Sequence, residues 1–228
     1  MRATGLSTQA RLLGVALAAT TLLAACAATQ HVAETDRLQA QNAYEQGVQA
    51  LTGQQWAIAL TRLRQATSLD PTAPTYRNAL GIALLQLGQP SEALADFQKA
   101  TELDPEYADA YLNTGVALAE LGRWAEAVQA YSRAISLPRL TAADTAHINL
   151  GLALLHLGRV QEAEGALRFG LKLDPALEAG WYHLGVLLQT SGRVDEAKGA
   201  FRRAREVAPN SPFGRAALER LKALGEGG

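Results

Sequence analysis

The feature that most constrains this chain is a period of 34 residues that recurs five times. Each unit can be counted from Ala40, Pro74, Ala108, Asp144 and Glu178. The eighth place is then Gly47, Gly81, Gly115, Gly151 and Gly185. The twentieth is Ala59, Ala93, Ala127, Ala163 and Ala197, and the twenty-fourth is Leu63, Phe97, Tyr131, Leu167 and Phe201. The twenty-seventh is Ala66, Ala100, Ala134, Gly170 and Ala204. At the fifteenth stand Gln54, Gly88, Gly122, Gly158 and Gly192, the first unit's glycine having slipped to Gly53. Pro71, Pro105, Pro175 and Pro209 close four of the units. A fixed period of this size means a small structural unit that buries its faces only by stacking on its neighbours.

Local physics says what the unit is. Leu80, Ala83, Leu84 and Leu87 recur at three- and four-residue spacing, which is the pattern of one helix face. A glycine at the eighth place lets two helices approach closely, and a larger side chain there would overpack by about 1–3 kcal/mol. The glycine at the fifteenth place can take the left-handed conformation that ends the first helix. The closing proline ends the second. Each unit is therefore a helical hairpin. Alanine and leucine dominate, aromatics make up 6%, and no β-branched run suggests a sheet.

This pattern resembles the tetratricopeptide repeat over residues 40–211. The resemblance implies an all-α, right-handed superhelical solenoid of five hairpins at 40–73, 74–107, 108–141, 144–177 and 178–211. The third unit departs from it. Leu137-Pro138-Arg139-Leu140-Thr141-Ala142-Ala143 has its proline one place early and two residues inserted, so the junction there should be looser or re-angled. Beyond the fifth unit, Ser211-Pro212 reads as a helix cap with proline in the first turn. Phe213, Ala217, Leu218, Leu221 and Leu224 give the following segment, 212–225, one apolar face. A C-terminal capping helix is expected there, with Gly225 to Gly228 fraying.

The amino terminus carries an address. Arg2 and Arg11 precede an apolar run from Leu12 to Ala25. At about 1.5 Å per residue that run falls well short of a hydrocarbon core of about 30 Å. Residues 1–25 therefore read as a signal peptide. The run ends at Leu23-Ala24-Ala25-Cys26, which holds the chain's only cysteine. A lone cysteine makes no internal disulfide. The tetrad resembles the lipobox of bacterial lipoproteins. That resemblance implies a diacylglyceryl thioether on Cys26, cleavage before it, and attachment to a membrane through the lipid. Ordinary secretory cleavage after Ala27 also fits the small residues Ala25 and Ala27. Ala27, where an aspartate would favour retention in the inner membrane, implies the outer membrane, facing the periplasm. Residues 26–39 form a tether of at most about 45 Å, with Asp36 and Gln39 marking a helix start.

In the repeat family the first helix of each hairpin lines the concave surface. The resemblance places Tyr44, Asn78, Leu112, Ile148 and Tyr182 there, at the fifth position of each unit. Asn113, Asn149 and His183 follow at the sixth, Val48, Ile82, Val116, Leu152 and Val186 at the ninth, and Leu85 at the twelfth. Among the first helices Arg77 is the single basic residue, whereas basic residues gather on the second helices. The groove should be apolar with a mildly acidic edge, and the outer face basic. The lysine, asparagine and arginine clamp with which some repeats of this kind hold a C-terminal carboxylate is missing. The expected partner is a protein that offers an apolar strand or an amphipathic helix, with Asn113 and Asn149 bonding its backbone. The ninth-place aliphatics could equally pack between neighbouring hairpins.

Other chemistries find no support. The net charge is −1 and the pI about 6.4, so no basic excess points to nucleic acid. His31 lies in the tether, and His147, His156 and His183 lie on different helical phases, which does not suggest zinc. Neither a phosphate-cradling loop nor a nucleophile elbow occurs. Neither a cofactor nor an enzymatic role is expected. A lipobox and a repeat array of this size together resemble the type IV pilus biogenesis lipoproteins of the PilF/PilW kind. That family implies a pilotin, a scaffold that helps a secretin subunit assemble in the outer membrane. Related readings are a tight-adherence pilus lipoprotein and an adaptor for peptidoglycan hydrolases or other envelope complexes.

Overall fold

The computed structural model describes residues 34–226. The signal segment, Cys26 and the first part of the tether lie outside the described residues. Every described element is a helix. Residues 34–52 form α1, so 34–39, read from sequence as the end of the tether, belong to the first helix. There follow α2 (Trp56–Leu69), α3 (Pro74–Gln86), α4 (Pro90–Leu103), α5 (Ala108–Glu120) and α6 (Trp124–Ser136). Then come α7 (Ala143–His156), α8 (Val160–Leu173), α9 (Glu178–Thr190), α10 (Val194–Val207) and α11 (Pro212–Ala223). No helix among them is long and apolar enough to cross a membrane.

The chain divides into two compact units, 1–72 and 73–228. In the first, α1 and α2 form one hairpin, closed where Gly47 meets the fully buried Leu63. In the second, α3–α4, α5–α6, α7–α8 and α9–α10 are four consecutive hairpins. Each second helix also packs on the first helix of the next hairpin, and α11 closes the series against α10 and α9. The protein is an all-α solenoid of stacked hairpins.

The repeat residues hold each hairpin together. A Cβ built on Gly81 would stand 2.5 Å from Cε1 of Phe97. That ring is fully buried, so only a residue without a side chain fits beneath it. After the first helix, Gly88 N–H donates to Leu85 and Gln89 N–H to Leu84, the pattern of a left-handed helix end. The first hairpin keeps the same geometry without the glycine, because Gln54 itself takes φ 56°.

At the second helix end, an aspartate works beside the proline. Asp104 Oδ1 accepts from Glu106 N–H at 2.9 Å, and Asp174 Oδ1 from Ala176 N–H at 2.8 Å. Asp70 does the same for Thr72 in the first unit. The third hairpin has Leu137 where the first, second and fourth have aspartate. Its exit loop, 137–142, is longer than the corresponding 104–107 and 174–177, and Arg139 sits at φ 66°. The loop is nevertheless tied down. Thr141 donates its N–H and its hydroxyl to Asp109 Oδ1 on α5, at 3.1 and 2.9 Å. The insertion expected to loosen this junction carries its own fastening.

The capping helix starts where Ser211 Oγ accepts from Gly214 N–H at 3.0 Å. Ala217 and Leu221 are buried beneath it. Glu226 does not fray. Its carboxylate takes the Arg202 guanidinium and Lys198, and its N–H donates to Leu221.

Candidate binding surface

In the second unit α3, α5, α7 and α9 lie side by side, each in contact with the next. The period then brings Ile82, Val116, Leu152 and Val186 to one level, one on each helix, and all four are half-buried. Leu85 and Leu155, three residues further along α3 and α7, are half-buried too. Together these side chains make an aliphatic row that keeps part of its surface in water.

Two of the predicted groove residues belong to the packing instead. Leu112 is 8% exposed and Ile148 5%. The Cδ1 of Ile148 lies 2.8 Å from where Gly170 would carry a Cβ, and 2.7 Å from that of Gly180. Ile148 thus fills the space that two glycines leave between hairpins. At the fifth place Leu112 and Ile148 are thus buried packing residues, whereas Tyr44 and Tyr182 stay half-buried.

The asparagines also differ from expectation. Asn78 is buried, donates Nδ2 to Tyr107 Oη at 3.2 Å, and accepts from Asn113 Nδ2 at 2.9 Å. The Asn113 amide nitrogen is therefore committed to its neighbour. Asn149, at the same place one hairpin later, is half-buried and makes no side-chain hydrogen bond among the described residues. Of the two asparagines expected to bond a partner's backbone, Asn149 is the one that keeps its whole amide.

At the carboxyl-terminal end the row is covered by the chain itself. The Phe213 ring of α11 lies 5.5 Å from Tyr182 and 5.3 Å from His183, centroid to centroid. Burial, with a smaller contribution from His156, pushes the His183 imidazole down to about 4. His156 is exposed and stacks on Trp124, with 3.8 Å between centroids and 2° between planes. Trp124, half-buried at the start of α6, thus carries an exposed imidazole on its ring. In the first unit Tyr44 and Val48 are half-buried on α1, and burial raises the Tyr44 phenol above its ordinary value.

Charge is balanced at short range. Arg77, the single cation of α3, α5, α7 and α9, pairs with Asp96 of α4 at 2.9 Å. Arg123, Arg159 and Arg193 follow the left-handed glycines of three successive hairpins. Each forks onto the glutamate three residues on, Glu126, Glu162 and Glu196, through bonds of 2.6 and 2.7 Å. Arg168 and Arg193 share Glu164 as well. Part of the basic outer face expected from sequence is thus paired charge. The signal was present, since arginine at the sixteenth place and glutamate at the nineteenth recur in these three units.

Of the residues predicted to line the groove, Ile82, Leu85, Val116, Asn149, Leu152 and Val186 keep exposed surface on the stacked first helices of the second unit. They can bury an apolar segment and offer it one amide. Among the described residues no group of three or more metal-ligating side chains converges.

A family model described as the tetratricopeptide repeat matches residues 44–100, 78–144, 139–178 and 148–213. No curated protein matches the chain. Several solved structures do. A MamA protein is 24% identical, with a TM-score of 0.63, over 83% of this chain and 97% of that one. PilF of Pseudomonas aeruginosa is 20% identical, with a TM-score of 0.67, over 85% and 95%. PilW, a widely conserved type IV pilus biogenesis factor, is 18% identical, with a TM-score of 0.68, over 81% and 92%. At these identities the likeness is one of fold.

Proposed function

The chain belongs to the tetratricopeptide repeat family, whose members are protein-binding scaffolds, and on that premise we propose that it is a lipid-anchored periplasmic scaffold of the outer membrane. It holds an apolar strand or amphipathic helix of a partner protein, and the partner is a subunit of a pilus secretin. The carrying observation is the half-exposed row Ile82, Val116, Leu152 and Val186, with the unbonded amide of Asn149 beside it. Aliphatic side chains that keep contact with water gain when a partner covers them. One free amide suits the backbone of an extended or helical segment. The Leu23-Ala24-Ala25-Cys26 tetrad supports the anchor. The fold shared with PilF and PilW supports the pilus role.

The test has two arms. Cys26→Ser should move the protein from the membrane fraction to the soluble periplasm; unchanged partition would remove the anchor. Val116→Glu and Leu152→Glu should each weaken capture of a purified secretin subunit by about 30-fold or more, the effect of losing an anchor residue, while helicity is kept. Undiminished capture by both variants would move the binding surface elsewhere.

A further inference from the structure

The capping helix keeps the register of the repeat. Counted on from the fifth unit, Pro212 falls at the first place and Arg220 at the ninth, one period after Val186. The packing has the same phase. Leu221 at the tenth place is buried, as Ala83, Ala117, Ala153 and Leu187 are at theirs. Gly214 at the third is buried, like Ala146 and Gly180. Helix α11 lies against α10 and α9, as α9 lies against α8 and α7. It therefore sits as a first helix sits, and it carries the ninth-place row one helix further. Ile82, Val116, Leu152 and Val186 each precede a buried tenth-place residue, and Arg220 precedes Leu221 in the same way. Four half-buried aliphatics are followed by one exposed guanidinium.

That guanidinium is uncommitted. Among the described residues the Arg220 side chain makes no hydrogen bond or ion pair. Its neighbours on α11 differ, since Arg215 holds the Asn210 carbonyl and Lys222 pairs with Glu219. The α11 residues one turn to either side of Arg220, Ala216, Ala217, Ala223 and Leu224, bear no charge.

Resting on the reading that the row seats the partner, we propose that Arg220 takes an aspartate or glutamate side chain at one end of the partner's apolar segment. Charge complementarity names the chemistry. A guanidinium stays charged and only donates, and a carboxylate matches its fork with two bonds. A side chain is selected over a chain terminus. Capture of a terminal carboxylate uses a nest of free backbone N–H groups, and Arg220 lies inside α11, where those groups are spent within the helix. An ion pair in water adds little. At the rim of a covered apolar row it steers the encounter and fixes register. The acidic end of the segment lies over α11 and its apolar part over the stacked helices before it.

The probe is a library of random short peptides bound to beads through their C-termini, so that no terminal carboxylate is offered, and selected on the full chain in detergent. Binders lost with Leu152→Glu or Val116→Glu use the row, and circular dichroism checks that each variant keeps its helices. Those binders should carry Asp or Glu beside an apolar run. Arg220→Gln should weaken them by about 10-fold, the effect of uncoupling an interfacial charge pair. Arg220→Glu should weaken them further, and changing the peptide's acid to lysine should restore binding to that variant. Row binders without an acidic residue, or indifferent to both Arg220 changes, would overturn the proposal and leave the row as the docking surface. A library with no binder that depends on Leu152 or Val116 would overturn the row and this proposal together.

Discussion

Gly81→Ala should be destabilising for one reason alone, the Phe97 ring, and that reason can be isolated. The added Cβ would stand 2.5, 2.7 and 2.8 Å from three ring carbons. Phe97 is fully buried and cannot swing into solvent. Overpacking of this kind costs about 1–3 kcal/mol. Against it stands the helix preference of alanine over glycine, about 1 kcal/mol. The net loss should be up to roughly 2 kcal/mol. Phe97→Ala removes the ring and by itself costs about 3–5 kcal/mol. In that background only the helix preference remains, and Gly81→Ala should stabilise by up to about 1 kcal/mol. The sign of one substitution thus depends on the other, a coupling of roughly 1–3 kcal/mol. Urea unfolding followed by circular dichroism reads all four corners of the cycle. Gly199→Ala on α10 supplies the control, since a Cβ there meets nothing within 4 Å; it should stabilise in either background. An equal loss from Gly81→Ala with and without the ring would refute the close-approach argument for the whole set of eighth-place glycines.

Two further outcomes follow from the second unit. His183 is held neutral, at about 4 against an ordinary 6.5, so the unfolded chain takes up its proton first; stability from this site is full above 6.5 and declines as pH falls towards 4, by at most about 3 kcal/mol. The difference in urea midpoint between the natural chain and His183→Phe, measured across that range, should show the decline, and parallel profiles would refute it. Asp109→Ala removes the acceptor of both Thr141 bonds and should cost about 1–2 kcal/mol, with faster proteolysis in 137–142; an unchanged cleavage rate would mean the loop is held by packing.

The hairpins were legible because their defining contact lies inside one period. Gly81 and Phe97, or Gly185 and Phe201, are always sixteen residues apart, so every unit repeats the same signature. The groove was legible only in part, because its positions depend on neighbours that differ from unit to unit. Ile148 goes inward since Gly170 stands where other units have alanine and Gly180 adds a second gap. Both substitutions are visible in the sequence, but their joint effect needs the stacking geometry. The fate of Asn113 turned on Asn78, one place out of register with it, for the two meet only across hairpins. Tyr182 and His183 were misplaced for another reason. Phe213 belongs to no repeat, and nothing periodic shows how far the capping helix reaches. Asp109 and Thr141 are a private solution to one insertion.

These departures bear on how recognition can work here. Framework residues are fixed by contacts within and between hairpins and carry nothing specific to a partner. The paired edge arginines add little either. A guanidinium that already holds its own glutamate has a neighbour of opposite sign a few ångströms away, so its field fades within a Debye length of about 8 Å at physiological salt. Arg77 is cancelled in the same way by Asp96. With a net charge of −1 and the three edge arginines matched locally, that edge contributes little long-range field with which to draw in an oppositely charged partner. What remains for the proposed recognition is contact chemistry, the aliphatic row with the Asn149 amide on the stacked first helices of the second unit. Such a row acts only on a surface already close by. A lipid anchor that keeps the scaffold at the membrane where its partner assembles would supply that closeness by raising local concentration, and so the anchor on Cys26 and the uncharged row are two halves of one proposed mechanism.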